Sequence, residues 1–401
     1  MKKLGIIKNR LLCAAIFLAT LAFVLFYGGI VPYTLFYTAL ALITASLVYF
    51  LIMYSFCEVR CVLDRSDVIK GGDVLLTIEI KNKSPLFIPY ANITYKNTIA
   101  FIFKAHDESI SVAPFSGKRL RIVLTSKYRG RYDVNIPEIR LMDFLGIVNV
   151  VVKYAKVPDV LVYPHIDEID EFSAVGKFDL DNQMNPDNIS EDITAISDVR
   201  EYMNGDGMKK IHWNLSARMM SFMSKNYENI SKSRLIMLIN LSRITGCSDE
   251  QRLNLEDRIV ETAVSIIFHF LNKFWNVTLC YYEKEYFTYS LNDAGMFGMA
   301  YDHLAFVEFS SAYNIARIFE NISQDTAGGH LNLCIVTHEV SDDLIDAIIR
   351  YSKLGSRIAL IYVCKSKNGL EKENWVKAAR KSAVSLFFLD LESNLHSALA
   401  S

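Results

Sequence analysis

One short segment in the middle of the chain gathers side chains that acid–base or nucleophilic chemistry requires. Glu201, Asp206 and His212 could supply an acid, a base and an orienting group, and Ser216 follows as a candidate nucleophile. This pattern suggests a hydrolase as one interpretation. However, Asn214-Leu215-Ser216-Ala217-Arg218 lacks the glycines of a nucleophile elbow. No phosphate-binding glycine-rich loop occurs in the chain, so the sequence favours a protein without a catalytic residue or a cofactor.

The favoured alternative is that residues 197–232 form a structural clamp. Gly205 permits a turn that a residue with a β-carbon would resist, and Asp206 can close that turn through its side chain. His212 and Trp213 have apolar bodies with polar tips, which suit a boundary between two packed units. The predicted clamp consists of Arg200, Glu201, Tyr202, Gly205, Asp206, His212, Trp213, Ser216 and Arg218.

The spacing of these residues carries a family resemblance. Arg-Glu-Tyr-x-x-Gly-Asp-x-x-x-x-Ile-His-Trp-x-x-Ser-Ala-Arg resembles the hallmark of a bacterial family known as domain of unknown function 58. Members are usually membrane-anchored, carry a von Willebrand A-like domain and are often encoded beside MoxR-type AAA+ ATPases. The resemblance therefore implies such an ATPase as partner and a role in the assembly or maturation of other proteins. One departure is that Met208, Lys209 and Lys210 stand where the family has an arginine. A lysine keeps the positive charge but cannot form the two parallel hydrogen bonds of a guanidinium.

Composition limits the function classes. A chain of 401 residues predicts two or three domains. The net charge of −1 and the lack of a long basic run argue against a surface that binds nucleic acid. Seven scattered cysteines fit a reducing compartment. They do not form the two close pairs that a zinc site would need.

Residues 1–57 predict a transmembrane helical hairpin. Leu11–Tyr27 and Val31–Phe56 contain no charged residue, and Gly28 and Gly29 break the run between them. Basic residues flank the two inner ends and not the turn, which places both termini and the bulk of the chain in the cytoplasm. The predicted location is the inner or plasma membrane. The competing interpretation is a signal peptide followed by one anchor.

Residues 58–164 alternate in short strands with turns, which predicts an antiparallel β-sandwich. The start of this stretch resembles bacterial immunoglobulin-like modules, which implies a spacer or docking surface. Tyr128–Tyr132 and Asp143–Gly146 are similar to two further landmarks of the family, and we interpret both as tight turns with apolar plugs. Residues 165–196 are acidic with little apolar periodicity, which predicts a surface linker rather than a calcium loop.

Residues 233–401 predict an α/β domain of the Rossmann type, a mostly parallel sheet with helices on both faces. Short apolar runs at Arg234–Leu241, Leu331–Thr337, Arg357–Val363 and Val384–Leu389 read as buried strands, with a hairpin at 277–289. Helices are predicted at Asn254–Phe274, with Asn254 as the cap, and at Asp342–Leu354 and Glu371–Lys381.

Ligands of such sheets bind at the carboxyl ends of the strands, and the resemblance implies that a von Willebrand A-like domain holds a metal there. The family pattern is Asp-x-Ser-x-Ser after the first strand and an aspartate after a later one. Here those positions are Asn240, Ser242 and Ile244, and then Thr337 and His338. The loss of charged oxygen ligands predicts a degenerate site that binds no metal. The whole chain is thus predicted to be a membrane-anchored cytoplasmic scaffold.

Overall fold

The computed structural model of the 401-residue chain describes residues 2–95, 101–103, 108–134, 137–155, 157–174, 178, 189–201, 211–219, 221–231, 234–311, 315–325, 331–365, 374–382, 384–391 and 393–400. The chain forms two compact units, Met1–Tyr163 and Pro164–Ser401. Each unit is built around its own sheets, so the chain is a multidomain protein of mixed helix and strand content.

Two long helices open the first unit and confirm the prediction of two apolar helices. Helix α1 spans Lys2–Tyr27 and helix α2 spans Ile30–Ser55. Gly28 and Gly29 between them have positive φ angles of 54° and 98°, which glycine adopts without a steric penalty. The stretch Lys8–Tyr27 and helix α2 are each long and apolar enough to cross a membrane.

Two four-stranded antiparallel sheets follow, in the orders β1-β3-β7-β5 and β10-β9-β4-β6, and a three-stranded sheet has the order β2-β11-β8. Their inward residues, such as Leu76, Ile93 and Leu124, are fully buried in one hydrophobic cluster. Phe50 and Met53 from the end of α2 belong to the same cluster, so the helix is packed into the β-rich unit. The strands are β1 Cys57–Leu63, β2 Asp67–Ile69, β3 Asp73–Asn82, β4 Ile88–Tyr95, β5 Phe101–Phe103, β6 Glu108–Val112, β7 Gly117–Ser126, β8 Gly130–Tyr132, β9 Pro137–Met142, β10 Asn149–Val151 and β11 Val160–Tyr163.

The second unit begins with a long two-stranded ribbon. Strand β12 spans Ile189–Glu201 and pairs antiparallel with β13, Met223–Ser231. The short helix α3, Trp213–Met219, lies between them in sequence. Strand β13 ends three positions before Arg234, where the first strand of the main sheet begins.

The main sheet has six strands in the order β16-β15-β14-β17-β18-β19, of which only the edge strand β16 is antiparallel to its neighbour. The strands are β14 Arg234–Ile239, β15 Asn276–Tyr282, β16 Tyr286–Leu291, β17 Asn332–Thr337, β18 Arg357–Val363 and β19 Ser385–Leu389. The helices are α4 Asp249–Asn272, α5 Ala294–Phe306, α6 Ala316–Asp325, α7 Asp342–Lys353, α8 Asn374–Lys381 and α9 Leu395–Ala400.

Side chains along the buried strands alternate between two hydrophobic clusters, one on each face of the sheet. In β14, Leu235 and Met237 join the cluster that contains α4, whereas Ile236 and Leu238 join the cluster that contains α6 and α7. This alternation follows from the two-residue period of a strand. It explains why these strands have apolar residues at consecutive positions, as the sequence predicts.

Two local predictions are wrong. Helix α4 begins at Asp249 rather than Asn254, because Ser248 and Gln251 form a reciprocal capping box. The predicted linker 165–196 is also not a surface segment throughout. Ile169, Phe172 and Phe178 are buried in the core beside α4, where the Phe172 and Phe270 rings lie 6.0 Å apart, and from Ile189 the chain is in strand β12. The scattered aromatic residues outweigh the acidic composition, since each one buries a large apolar area.

Candidate functional site

Polar side chains meet at the carboxyl ends of the adjacent parallel strands β14 and β17. Asn240 directly follows β14 and is buried, and its Nδ2 donates a 3.0 Å hydrogen bond to Oγ1 of Thr337, the last residue of β17. Its Oδ1 accepts a 3.0 Å hydrogen bond from the backbone N–H of Ser242. The Thr337 hydroxyl in turn donates to the Glu339 carbonyl at 2.6 Å. The amide and hydroxyl atoms of this cluster therefore hydrogen-bond to one another and to the adjacent backbone.

His338 completes the cluster from the β17 side. Its Nε2 lies 3.4 Å from Oγ of Ser242, and its Nδ1 is buried with no hydrogen-bond partner among the residues that the structure describes. The ring of Phe309 packs 6.4 Å away, centroid to centroid. Burial lowers the pKa of His338 to about 4, because desolvation penalises the imidazolium ion. The histidine is thus neutral across the physiological pH range.

The remaining predicted position of this cluster, Ile244, lies in the hydrophobic core beside α4 and presents no polar atom. Ser311 is a neighbour that the sequence does not single out, and it forms a bridge parallel to Ser242. No pattern in the sequence links these two serines, because the pairing joins loops that are far apart in the chain.

The described part of the predicted clamp forms a small hydrogen-bonded unit with β13. The backbone N–H of His212 donates to the Met223 carbonyl at 2.8 Å, and the N–H of Met223 donates to Oγ of Ser216 at 2.9 Å. Nδ1 of His212 accepts a 3.3 Å hydrogen bond from the N–H of Leu215 in the first turn of α3. Ser216 and Met223 are buried, so α3 is fixed to the end of the ribbon.

The other clamp residues lie elsewhere. Arg200 and Glu201 end strand β12, in register with Ser224 and Met223. Tyr202, Gly205 and Asp206 are outside the described residues.

Two of the predicted clamp residues are exposed. Trp213 is 62% exposed and Arg218 is also exposed. The Trp213 ring makes an edge contact with Phe222 at 6.4 Å between centroids, and Phe222 is itself 60% exposed. Met219 at the end of α3 is exposed as well. We name Trp213, Arg218, Met219 and Phe222 the α3 patch. The sequence does not reveal it, because indole and guanidinium groups suit a buried boundary as well as an exposed surface.

The geometry defines a class: a multidomain protein with two apolar N-terminal helices, a β-rich unit and an α/β unit. A family model described as "Protein of unknown function DUF58" matches residues 198–292, from the end of β12 to just beyond β16. The uncharacterized protein YeaD of Bacillus subtilis (strain 168) is 21% identical over 372 residues, which cover 89% of this chain and 87% of YeaD.

Solved structures show only weak likeness. The conserved hypothetical protein BatB from Bacteroides thetaiotaomicron is 11% identical with a TM-score of 0.28, over 41% of this chain and 93% of BatB. A FixG-related protein from Vibrio parahaemolyticus is 14% identical with a TM-score of 0.19, over 27% of this chain and 96% of that protein. These TM-scores are too low to carry an argument about fold or function.

Proposed function

We propose that the chain is a membrane-anchored, non-enzymatic docking protein that binds a protein partner through the α3 patch. The observation that carries this proposal is the exposure of Trp213 and Phe222 side by side on a short helix that is hydrogen-bonded to the ribbon. Exposed aromatic side chains next to an arginine are the composition of binding hot spots. Because α3 is held by His212 and Ser216, the patch is preorganised, which lowers the entropy cost of binding.

The partner that the family resemblance favours is a MoxR-type AAA+ ATPase at the cytoplasmic face of the membrane. Lys8 and Arg10 precede the uncharged run of α1, and Arg60 and Arg65 follow α2, which supports a cytoplasmic position for the rest of the chain. The function would be to present the ATPase to proteins that are being assembled or matured.

The domain types are part of the proposal. Two four-stranded antiparallel sheets around one core support an immunoglobulin-like sandwich. Strands β15-β14-β17-β18-β19 repeat the order 2-1-3-4-5 of doubly wound sheets, which supports a Rossmann-type, von Willebrand A-like unit.

The hydrogen bonds of His212 and Ser216 favour docking over hydrolysis. A general base needs an unprotonated ring nitrogen directed at the substrate, and a nucleophile needs a hydroxyl that the substrate can reach, whereas Ser216 is buried. Here Nδ1 of His212 accepts the Leu215 N–H, and Oγ of Ser216 accepts the Met223 N–H. Both side chains thus serve the local structure.

The cluster of Asn240, Ser242, Thr337 and His338 does not fit a divalent cation. Mg²⁺ requires carboxylate or other free oxygen ligands in near-octahedral geometry. The described oxygens here are neutral, and those of Asn240 and Thr337 are already hydrogen-bonded. We propose that the neutral network replaces a metal in fixing the ends of β14 and β17 to each other.

A pull-down from native membranes in detergent tests the function. The tagged full chain is expected to retain an AAA+ ATPase in a nucleotide-dependent manner, in ATP against ADP. The double variant Trp213→Ala, Phe222→Ala should lose at least about tenfold of the retained ATPase, as expected for paired hot spots. The matched control Phe274→Ala removes another exposed ring and should retain the ATPase. Equal retention by the double variant would refute the α3 patch, and no ATPase with the parent chain would refute the partner.

A further inference from the structure

The loop between β9 and β10 contacts both N-terminal helices. Oγ of Ser46 on α2 donates a 2.6 Å hydrogen bond to Oδ2 of Asp143, and Nε of Arg10 on α1 donates a 2.7 Å hydrogen bond to the Ile147 carbonyl. Gly146 has a φ of +70°, and a β-carbon there would lie 2.7 Å from Nδ2 of Asn9 on α1. The loop is therefore fixed against one level of the helical hairpin.

That level is the polar end of the apolar run of α1. Arg10 immediately precedes the uncharged run Leu11–Tyr27, which rises about 26 Å at 1.5 Å per residue, slightly less than the thickness of a bilayer core. A guanidinium at this point belongs in the headgroup region, where its charge stays hydrated. A loop that accepts a hydrogen bond from Arg10 must lie at the same depth.

The tip of this loop exposes an aromatic ring at that depth. Phe144 follows the buried Asp143 and is 75% exposed. A second exposed ring, Phe87, lies nearby along α2, because its carbonyl accepts a hydrogen bond from the hydroxyl of Tyr49. Tyr49 is less than one helical turn beyond Ser46, about 4.5 Å along the axis. Aromatic rings are the side chains that favour the boundary between headgroups and acyl chains.

We propose that Phe144, together with Phe87, inserts into the lipid headgroup–acyl boundary, so that the β-rich unit is seated on the membrane surface instead of moving freely on a tether. The ligand is the bilayer itself. This inference rests on the proposed function in one respect, namely that the two helices span the membrane. It assigns a role to the buried Ser46–Asp143 hydrogen bond, which holds the loop at the required depth.

Depth-dependent fluorescence quenching tests the inference on the full chain in phosphatidylcholine–phosphatidylglycerol vesicles. The variants are Phe144→Trp at the loop tip, Leu18→Trp in the middle of α1, and Ile69→Trp as the exposed control. Ile69 lies beside the start of β3, about 30 Å from the Asn82 end that pairs with Cys57 after α2. The parent chain supplies the baseline from its three native tryptophans.

Lipids brominated near the headgroup should quench about half of the fluorescence that Phe144→Trp adds, because the ring lies in the interface. Ile69→Trp should be unaffected, and Leu18→Trp should respond to lipids brominated deep in the chain. Far-ultraviolet circular dichroism matching the parent ensures that each variant is folded. Unquenched Phe144→Trp with quenched Leu18→Trp would overturn the seating while the anchoring stands. Unquenched Leu18→Trp would overturn the anchoring itself and the seating with it.

Discussion

Ser46 of helix α2 and Asp143 of the β9–β10 loop are joined by a 2.6 Å hydrogen bond, and the aspartate is fully buried. The other carboxylate oxygen of Asp143 accepts the N–H of Val148 at 2.8 Å. Both oxygens are therefore satisfied, one by the loop and one by the helix. This bond links the apolar helix to the β-rich unit.

Ser46→Ala is expected to destabilise the first unit by about 1–3 kcal/mol, because one oxygen of a buried carboxylate loses its donor. The measurement is thermal or urea unfolding of the full chain in detergent. Ser55→Ala is the matched control, since the Ser55 hydroxyl is exposed and donates to the Leu51 carbonyl of its own helix. Equal stability of the two variants would contradict the linking role of the Ser46 hydroxyl.

Ser216→Ala should loosen the attachment of α3 to β13, because the buried N–H of Met223 loses its acceptor, at a cost of about 1–3 kcal/mol. Amide hydrogen exchange across 211–231 should accelerate while exchange in the main sheet stays unchanged. Ser221→Ala removes a hydroxyl that lies 3.8 Å from Sδ of Met223 but does not bond its N–H, and it should leave exchange unaltered. If amide exchange in Ser216→Ala were as slow as in the parent chain, the structural role of the Ser216 hydroxyl would be refuted.

Asn240→Asp tests the neutral network at the ends of β14 and β17. The new carboxylate would face Oγ1 of Thr337, whose proton is already donated to the Glu339 carbonyl, so we expect a loss of about 1–3 kcal/mol in unfolding free energy. Millimolar Mg²⁺ should stabilise neither the parent nor this variant. Asn276→Asp, at a half-buried position in β15, is the control for adding a charge. Strong Mg²⁺ stabilisation of the parent chain, lost in Asn240→Ala, would show that the cluster is a metal site.

His338 predicts a pH dependence of stability. Its pKa is about 4 in the folded chain and about 6.5 when unfolded, so between these values the unfolded chain binds more protons. Stability should therefore fall as pH is lowered from about 6.5 towards 4, by at most about 1.4 kcal/mol per pH unit from this residue. His338→Gln should flatten this slope in urea titrations, whereas His165→Gln, at an exposed position, should not. Burial also lowers the pKa of His269, which therefore contributes to the same pH dependence of stability. The contribution of His338 is thus the difference in slope between the parent chain and His338→Gln.

The sequence predicts the main sheet well because its strands are buried on both faces. A run such as Leu235–Ile239 needs an apolar residue at every position, and this pattern is visible in the sequence without knowledge of the fold. The same reasoning places polar residues at strand ends, and Asn240 and Thr337 do lie in hydrogen-bonding distance there. The start of α4 is missed because Ser248 and Gln251 form a capping box, whereas Asn254 offers only a favourable residue type.

The ribbon is missed for a different reason. Residues Ile189–Glu201 contain acids and serines in place of a clean apolar alternation, so their sequence gives no strand signal although the backbone pairs with β13. Buried contacts between distant segments, such as Ser46 with Asp143, produce no periodic sequence pattern from which they could be predicted. The exposure of Trp213 also depends on tertiary context, which residue type alone does not reveal.

Only two residues separate the end of β13 from the start of β14, which lies inside the sheet between β15 and β17. A mechanical load applied to the ribbon would thus enter the sheet through an interior strand. Parallel pairing on both sides of β14 would resist that load in shear, with many hydrogen bonds strained together rather than opened one by one. A motor pulling on the ribbon would meet the stiffest direction of the α/β unit.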